Sequence, residues 1–143
     1  MKKTITSKLA LILIIFAMIS LVSCDYFIRR ELPEIWQDAV YVKDTELGTG
    51  NKTFTFVVQV EENTVTFTIH TDAETVGEAL LDLGLIEGEN GTWGLYVKKV
   101  NGMTADYDID QTYWAFYENG EYGSGVDLTK VNDGYTYSLV RTR

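Results

Sequence analysis

The chain has 143 residues, of which 45% are hydrophobic, with 12 basic residues, 21 acidic residues and a single cysteine. That length suits one domain of ordinary size. A net charge of −9 argues against nucleic acid or bare anionic lipid as a partner, since both would repel the chain. One cysteine also excludes an intramolecular disulfide.

The first residues read as a leader. Lys2, Lys3 and Lys8 precede an uncharged apolar run, 9–21, and then Leu21-Val22-Ser23-Cys24. A basic start, a short apolar run and a small-residue cleavage site are the parts of a secretory signal. The stretch 9–24 is 16 residues, short of the roughly 20 that a spanning helix needs. An uncleaved anchor, and a buried Cys24 acting as a small hydrophobe, are the competing readings. The Leu21-Val22-Ser23-Cys24 segment resembles the cleavage box of bacterial lipoproteins. The resemblance implies a signal peptide at 1–23 and a Cys24 carrying diacylglycerol and palmitate. It also implies a domain tethered to the outer, extracytoplasmic face of the cell membrane. Two or more acyl chains anchor stably where one does not. The three leader lysines leave with the signal, so the mature chain keeps 9 basic and 21 acidic residues, a net charge of −12.

Residues 24–52 read as a lipidated cysteine, a tether and a docking segment. This stretch holds the only proline, Pro33, and the loop Gly48-Thr49-Gly50-Asn51. The apolar stretch 35–42 is expected to be a first edge strand. Residues 53–60 and 64–69 alternate apolar and polar side chains around a Glu61-Glu62-Asn63 turn. They predict a hairpin burying Phe54, Phe56 and Val58 beside Val65, Phe67 and Ile69. Thr71-Asp72-Ala73-Glu74 fits a capping box. It predicts a helix of about three turns with Val76, Ala79, Leu80 and Leu83 on its inner face. Gly84 closes it, and Leu85-Ile86 packs back beneath the sheet.

A loop is expected from Gly88 to Gly94, then a strand at 95–100. Asn101-Gly102 and Asn119-Gly120 both carry the signal of a two-residue hairpin turn. Between them, 113–118 is an aromatic strand. A last strand, 135–142, follows Asn132-Asp133-Gly134. The order predicts an α+β fold: a β-grasp-like mixed sheet of about five to six strands packed on one short helix, occupying 53–143.

That region is similar to a family of bacterial surface domains related to the C-terminal domain of transcobalamin and intrinsic factor. The resemblance rests on the 64–69 strand, on Glu74 to Leu81, and on Gly94-Leu95-Tyr96-Val97 with Val100-Asn101-Gly102. It rests also on Tyr113-Trp114-Ala115-Phe116-Tyr117 with Asn119-Gly120, Gly125-Val126-Asp127 and Asp133-Gly134. It implies the β-grasp fold. The vertebrate members bind cobalamin between two domains, a helical barrel supplying much of the site. This chain has no room for such a barrel, so cobalamin transfers only as an optional ligand and no contact residue is carried over.

The chemistry-bearing residues are sparse. His70, the only histidine, sits at a strand end and reads as solvated or cap-adjacent rather than as a general base. Asp106, Asp108 and Asp110 have calcium-loop spacing, but Gln111 and Tyr117 stand where such a loop needs Gly and Glu. Glu61-Glu62 and Glu87 with Glu89 read as turn residues facing solvent. Gly120, Gly123 and Gly125 belong to a hairpin rather than to a phosphate loop. No nucleophile-and-base set is visible, so neither an enzyme, a cofactor nor a metal is expected.

Aromatic density late in the chain is the more telling feature. Strand alternation puts Trp114 and Phe116 toward the core, with Tyr113 and Tyr117 on the open face. Packing against the Trp36 segment is the structural alternative for that face. Tyr113, Tyr117, Trp93, Tyr96 and Tyr122 are the candidate ligand-binding residues, since tyrosine combines large area with a polar tip. Two functions compete. One is a membrane-anchored small-ligand-binding module for a corrinoid-like or other small molecule. The other is a surface module that docks a partner protein, for instance by strand addition.

Overall fold

The structure, a computed structural model, describes residue 12, residue 26 and residues 28–143. The leader and Cys24 lie outside the described residues. Two compact units are distinguished, 1–37 and Asp38–Arg143. In the first, Gln37 Nε2 donates to the Arg29 carbonyl, and Trp36 N–H donates to the Pro33 carbonyl at 2.9 Å.

The stretch expected as a first edge strand is not one. Glu34–Asp38 forms a 3₁₀ turn, and the edge strand lies further on, at β1 (Thr45–Gly48). The reason is tertiary. Asn101, buried in its turn, takes the hydrogen bonds that a strand at 40–41 would have used. Its carbonyl accepts from Val40 N–H, its Oδ1 accepts from Tyr41 N–H, and its Nδ2 donates to the Tyr41 carbonyl at 2.8 Å.

The expected hairpin is β2 (Lys52–Val60) with β3 (Asn63–Thr71). Phe56 opposes Phe67, and Val58 opposes Val65. Phe54, Phe56, Val58, Val65, Phe67 and Ile69 are all buried. Each contributes about 1.5–3 kcal/mol through removal from water, so this strip anchors the core. The helix α1 (Val76–Asp82) starts later than the capping box at Thr71 suggests. Thr71 is still in the β3 ladder, opposite Lys52. The adjoining box Thr75-Val76-Gly77-Glu78 is used instead: Glu78 N–H donates to Thr75 Oγ1, and Glu78 Oε2 accepts from Glu74 N–H. The first amides of α1 are satisfied by neighbouring backbone, Val76 by the Thr129 carbonyl and Gly77 by that of Val126. The helix is therefore two turns, burying Val76, Ala79 and Leu80, with Leu83 half-buried at its C-cap. Gly84 follows with φ +67°, the left-handed turn that a glycine makes at low cost.

Residues 88–91 are not loop. They lie in β4 (Ile86–Gly91), which pairs antiparallel with β5 (Gly94–Val100), leaving only Thr92-Trp93 as the turn. After Ile86 every residue of β4 is exposed, so no alternation betrays it. A short β6 (Met103–Thr104) completes a three-stranded sheet. A second small helix, α2 (Tyr107–Asp110), then leads into β7 (Tyr113–Glu118), β8 (Glu121–Tyr122) and β9 (Thr136–Thr142).

The main sheet is mixed, ordered β1-β3-β2-β9-β7-β8. β1 runs parallel to β3, β9 parallel to β2, and β7 antiparallel to β9. The α+β class and the six-stranded mixed sheet agree with expectation; the separate three-stranded sheet is an addition to it. Asn101 and Asn119 both take positive φ, 51° and 48°, as their Asn-Gly turns require.

Candidate functional site

Where β5 and β7 approach each other, a cleft of about 260 Å³ opens. The two strands belong to different sheets and share no ladder. Trp114 and Phe116 alternate inward along β7 and, with Val97 and Val126, form the apolar floor. Tyr96, Tyr113 and Tyr122 also line it; Tyr96 is 40% and Tyr122 73% exposed. The 123–126 segment closes one side. It lies against β7 because Gly123 N–H donates to the Phe116 carbonyl and because a Cβ at Gly123 would collide with the Phe116 ring.

Three of the five aromatic candidates thus meet at one cleft. Tyr117 is outside the lining, but its ring lies 4.5 Å from that of Tyr122. The Tyr122 hydroxyl beside it, then partial burial, holds the Tyr117 phenol above its ordinary range. Trp93 stands at the turn of the β4–β5 hairpin, 90% exposed and away from the lining. Tyr96 is steadied from one side by Lys98, whose ammonium sits 5.8 Å from the ring centroid. That ammonium also pairs with Glu89 at 3.3 Å and Asp106 at 3.4 Å. The hydrogen bond to Glu89 is the main reason its pKa is raised, with Asp106 adding to it.

One site residue escapes sequence reasoning. Asp127 Oδ2 accepts from Leu95 N–H at 3.0 Å, fixing the edge of β5 beside the cleft, while its buried Oδ1 has no hydrogen-bond partner. The backbone closes tightly around this carboxylate. A Cβ at Gly94, which has φ +107°, would stand 2.9 Å from Oδ2, and a Cβ at Gly77 would stand 2.9 Å from the Asp127 Cα. Both glycines are therefore required by close approach.

The other titratable groups are engaged elsewhere. His70 Nδ1 shares a hydrogen bond with Thr53 Oγ1 at 2.8 Å, and its Nε2 meets Glu46 Oε1 at 2.5 Å. Asp106 caps α2 through Asp108 N–H and pairs with Lys98. Asp110 turns instead to Thr112 and to Arg141, 2.8 Å away, and these partners hold its carboxyl below the ordinary range, Thr112 most strongly. The alternating aspartates thus neither lie on one strand nor converge. Among the described residues no group of three His, Cys, Asp or Glu side chains is placed to hold a metal ion. Among the described residues, too, no helix is long and apolar enough to cross a membrane.

The solved structures place the fold. A candidate metal-binding protein from Ruminococcus gnavus ATCC 29149 is 33% identical, with a TM-score of 0.61; the match covers 65% of this chain and 98% of that one. The chain belongs to the same family as this Ruminococcus protein. Haptocorrin in complex with Cbi is 19% identical, with a TM-score of 0.55 over 68% of this chain. That likeness establishes a shared transcobalamin-like fold, and the chain spans only 26% of haptocorrin's length. No family model and no curated protein matches the sequence.

Proposed function

We propose that the domain is a non-catalytic, extracytoplasmic binding module, held at the cell membrane by lipid on Cys24, that takes a small ligand in the cleft between β5 and β7. The observation that carries the reading is the meeting of Tyr96, Tyr113 and Tyr122 over an apolar floor. Ligand sites are concave, mostly apolar and edged by a few polar groups. The cleft, about 260 Å³, is below the roughly 300–1,000 Å³ that encloses a drug-sized ligand. A large flat molecule such as a corrinoid would be gripped along one edge. A partial, capping grip is consistent with a fold that makes up a quarter of haptocorrin. Metal binding, the property ascribed to the Ruminococcus protein, is not assigned here, because no three His, Cys, Asp or Glu side chains among the described residues are grouped to hold an ion.

Titration of residues 25–143 with a corrinoid, followed by fluorescence of Trp114, tests the ligand. Tyr113→Ala and Tyr122→Ala are each expected to weaken binding roughly threefold to tenfold, from about 0.5–1.5 kcal/mol per aromatic contact. Saturable binding unchanged in both variants would place the site elsewhere. Palmitate labelling of the full chain, lost in Cys24→Ser, tests the anchor.

A further inference from the structure

The face of the main sheet turned away from the core is almost free of charge. Alternation sets fifteen side chains on it, four each from β3, β2 and β9 and three from β7. None is Asp, Glu, Lys or Arg, where the chain's 23% content of those residues would put about three. All but Ala115 are exposed or half-buried. The register fixes their neighbours. Val57 stands between Thr66 and Ser138, and Val140, one row on, between Gln59 and Ala115. Apolar groups thus hold the middle of the face, with hydroxyls around them and the adjoining rings of Tyr117 and Tyr122 on one side. At the β1 margin the Glu46 carboxylate is bonded to His70. The 40–41 segment does not cover this face, because Tyr41 packs edge-on against the buried Phe67, on the core side.

Loss of charge, an apolar middle and added tyrosine are what set the centre of a protein interface apart from the rest of a surface. Charge narrows the occupant. The 38–143 unit carries 7 basic and 18 acidic residues, so two copies repel over most of their surface. An uncharged face lets like copies meet, and hydroxyls that both donate and accept can pair with their own kind. Area agrees. The four strands are six to nine residues long, and at about 3.3 Å per residue and 4.8 Å between strands they span roughly 20 Å by 25 Å. Two such faces bury about 1,000 Å², the lower bound for a specific interface. We propose that this face is a dimer interface, on which the same face of a second copy packs about a two-fold axis, sheet on sheet. It is distinct from the cleft, whose floor of Trp114 and Phe116 lies on the other side of β7. Salt screens the repulsion between the acidic surfaces, so the dimer tightens as salt is raised, the opposite of a contact with a basic partner.

Two differently tagged copies of the full chain, co-expressed and purified together from mild detergent, test this. The parent copies should co-purify, and more strongly at high salt than at low. Ser138→Lys in both copies, or Ser138→Glu in both, should cut recovery at least tenfold. Ser138→Lys in one copy with Ser138→Glu in the other should restore it, because a two-fold axis brings the centres of the two faces together. Val57→Lys and Val57→Glu repeat the comparison where a Ser138 variant loses its fold by circular dichroism. A benzoylphenylalanine placed at Thr68, on the rim, should photo-cross-link to a product of twice the chain's mass. Parent copies that never pair, pairing untouched by Ser138→Lys, or a mixed pair that is not rescued overturns the proposal. So does a cross-link from Thr68 to a protein of another mass alone, which makes the face a docking site for a different partner.

Discussion

Replacing Asp127 with Ala removes the side chain that fastens the β4–β5 hairpin to the 123–128 segment. Its bond to Leu95 N–H, at 3.0 Å and part-buried, is charge-assisted, and bonds of that kind contribute about 1.5–3 kcal/mol. The variant leaves Leu95 N–H without an acceptor. It also relieves the unpartnered, buried Oδ1, which offsets part of the loss. A net destabilisation of about 2 kcal/mol follows, a fall in Tm of roughly 9 °C for a domain of this size. Gly94→Ala should be destabilising as well, because its Cβ would stand 2.9 Å from Asp127 Oδ2 at φ +107°. The two changes should not be additive. With the carboxylate gone, the steric part of the Gly94→Ala penalty disappears and only the backbone strain is left. Thermal melts of the four proteins, followed by near-ultraviolet circular dichroism, complete the cycle. An Asp127→Ala variant melting within about 2 °C of the parent, or strictly additive losses, would refute the reasoning.

Thr75→Ala should cost about 0.5–2 kcal/mol through loss of the α1 cap, measurable as a shift in urea midpoint; an unchanged midpoint would mean that Thr75 is not the cap. Phe67→Ala, at the centre of the β2–β3 strip, should cost about 3–5 kcal/mol, and a smaller loss in the same assay would mean that the strip does not anchor the core. Stability should also depend on pH in two known directions. Asp110 is held below its ordinary 3.8 by Thr112 and Arg141. Its contribution is complete above that value and is lost as pH falls through the lower folded value, so Asp110→Asn should flatten the acid limb of a midpoint-against-pH curve. Tyr137 is raised above 10.0 chiefly by burial. Its contribution is complete below 10.0 and fades as pH rises through the folded value, which Tyr137→Phe should abolish.

Local chemistry was legible wherever one rule acted alone. The β2–β3 hairpin follows from alternation, and both Asn-Gly turns from the need for positive φ. The aromatic strand 113–118 follows from its composition. Elsewhere two rules competed. Thr71 and Thr75 each head a Thr-x-x-Glu box, and only the reach of the β3 ladder decides between them. Glu87 to Gly91 reads as loop because glycine and acidic residues are poor strand formers, yet pairing with β5 carries it. Residues 40–41 lose their strand bonding to Asn101, 60 residues away, which no local pattern reveals. The cleft was legible only in part. Tyr96, Tyr113 and Tyr122 could be named as exposed aromatics, but their meeting depends on two sheets coming together. The support from Asp127 depends on a bond spanning 32 residues.

The most direct test of the binding role is native mass spectrometry of the 25–143 domain purified from its own host, beside a Tyr113→Ala, Tyr122→Ala double variant that keeps its fold by circular dichroism. A non-covalent adduct on the parent, lost or sharply reduced in the variant, is the predicted result. An adduct retained in full by the variant, or a parent that carries none and binds no corrinoid, would contradict it.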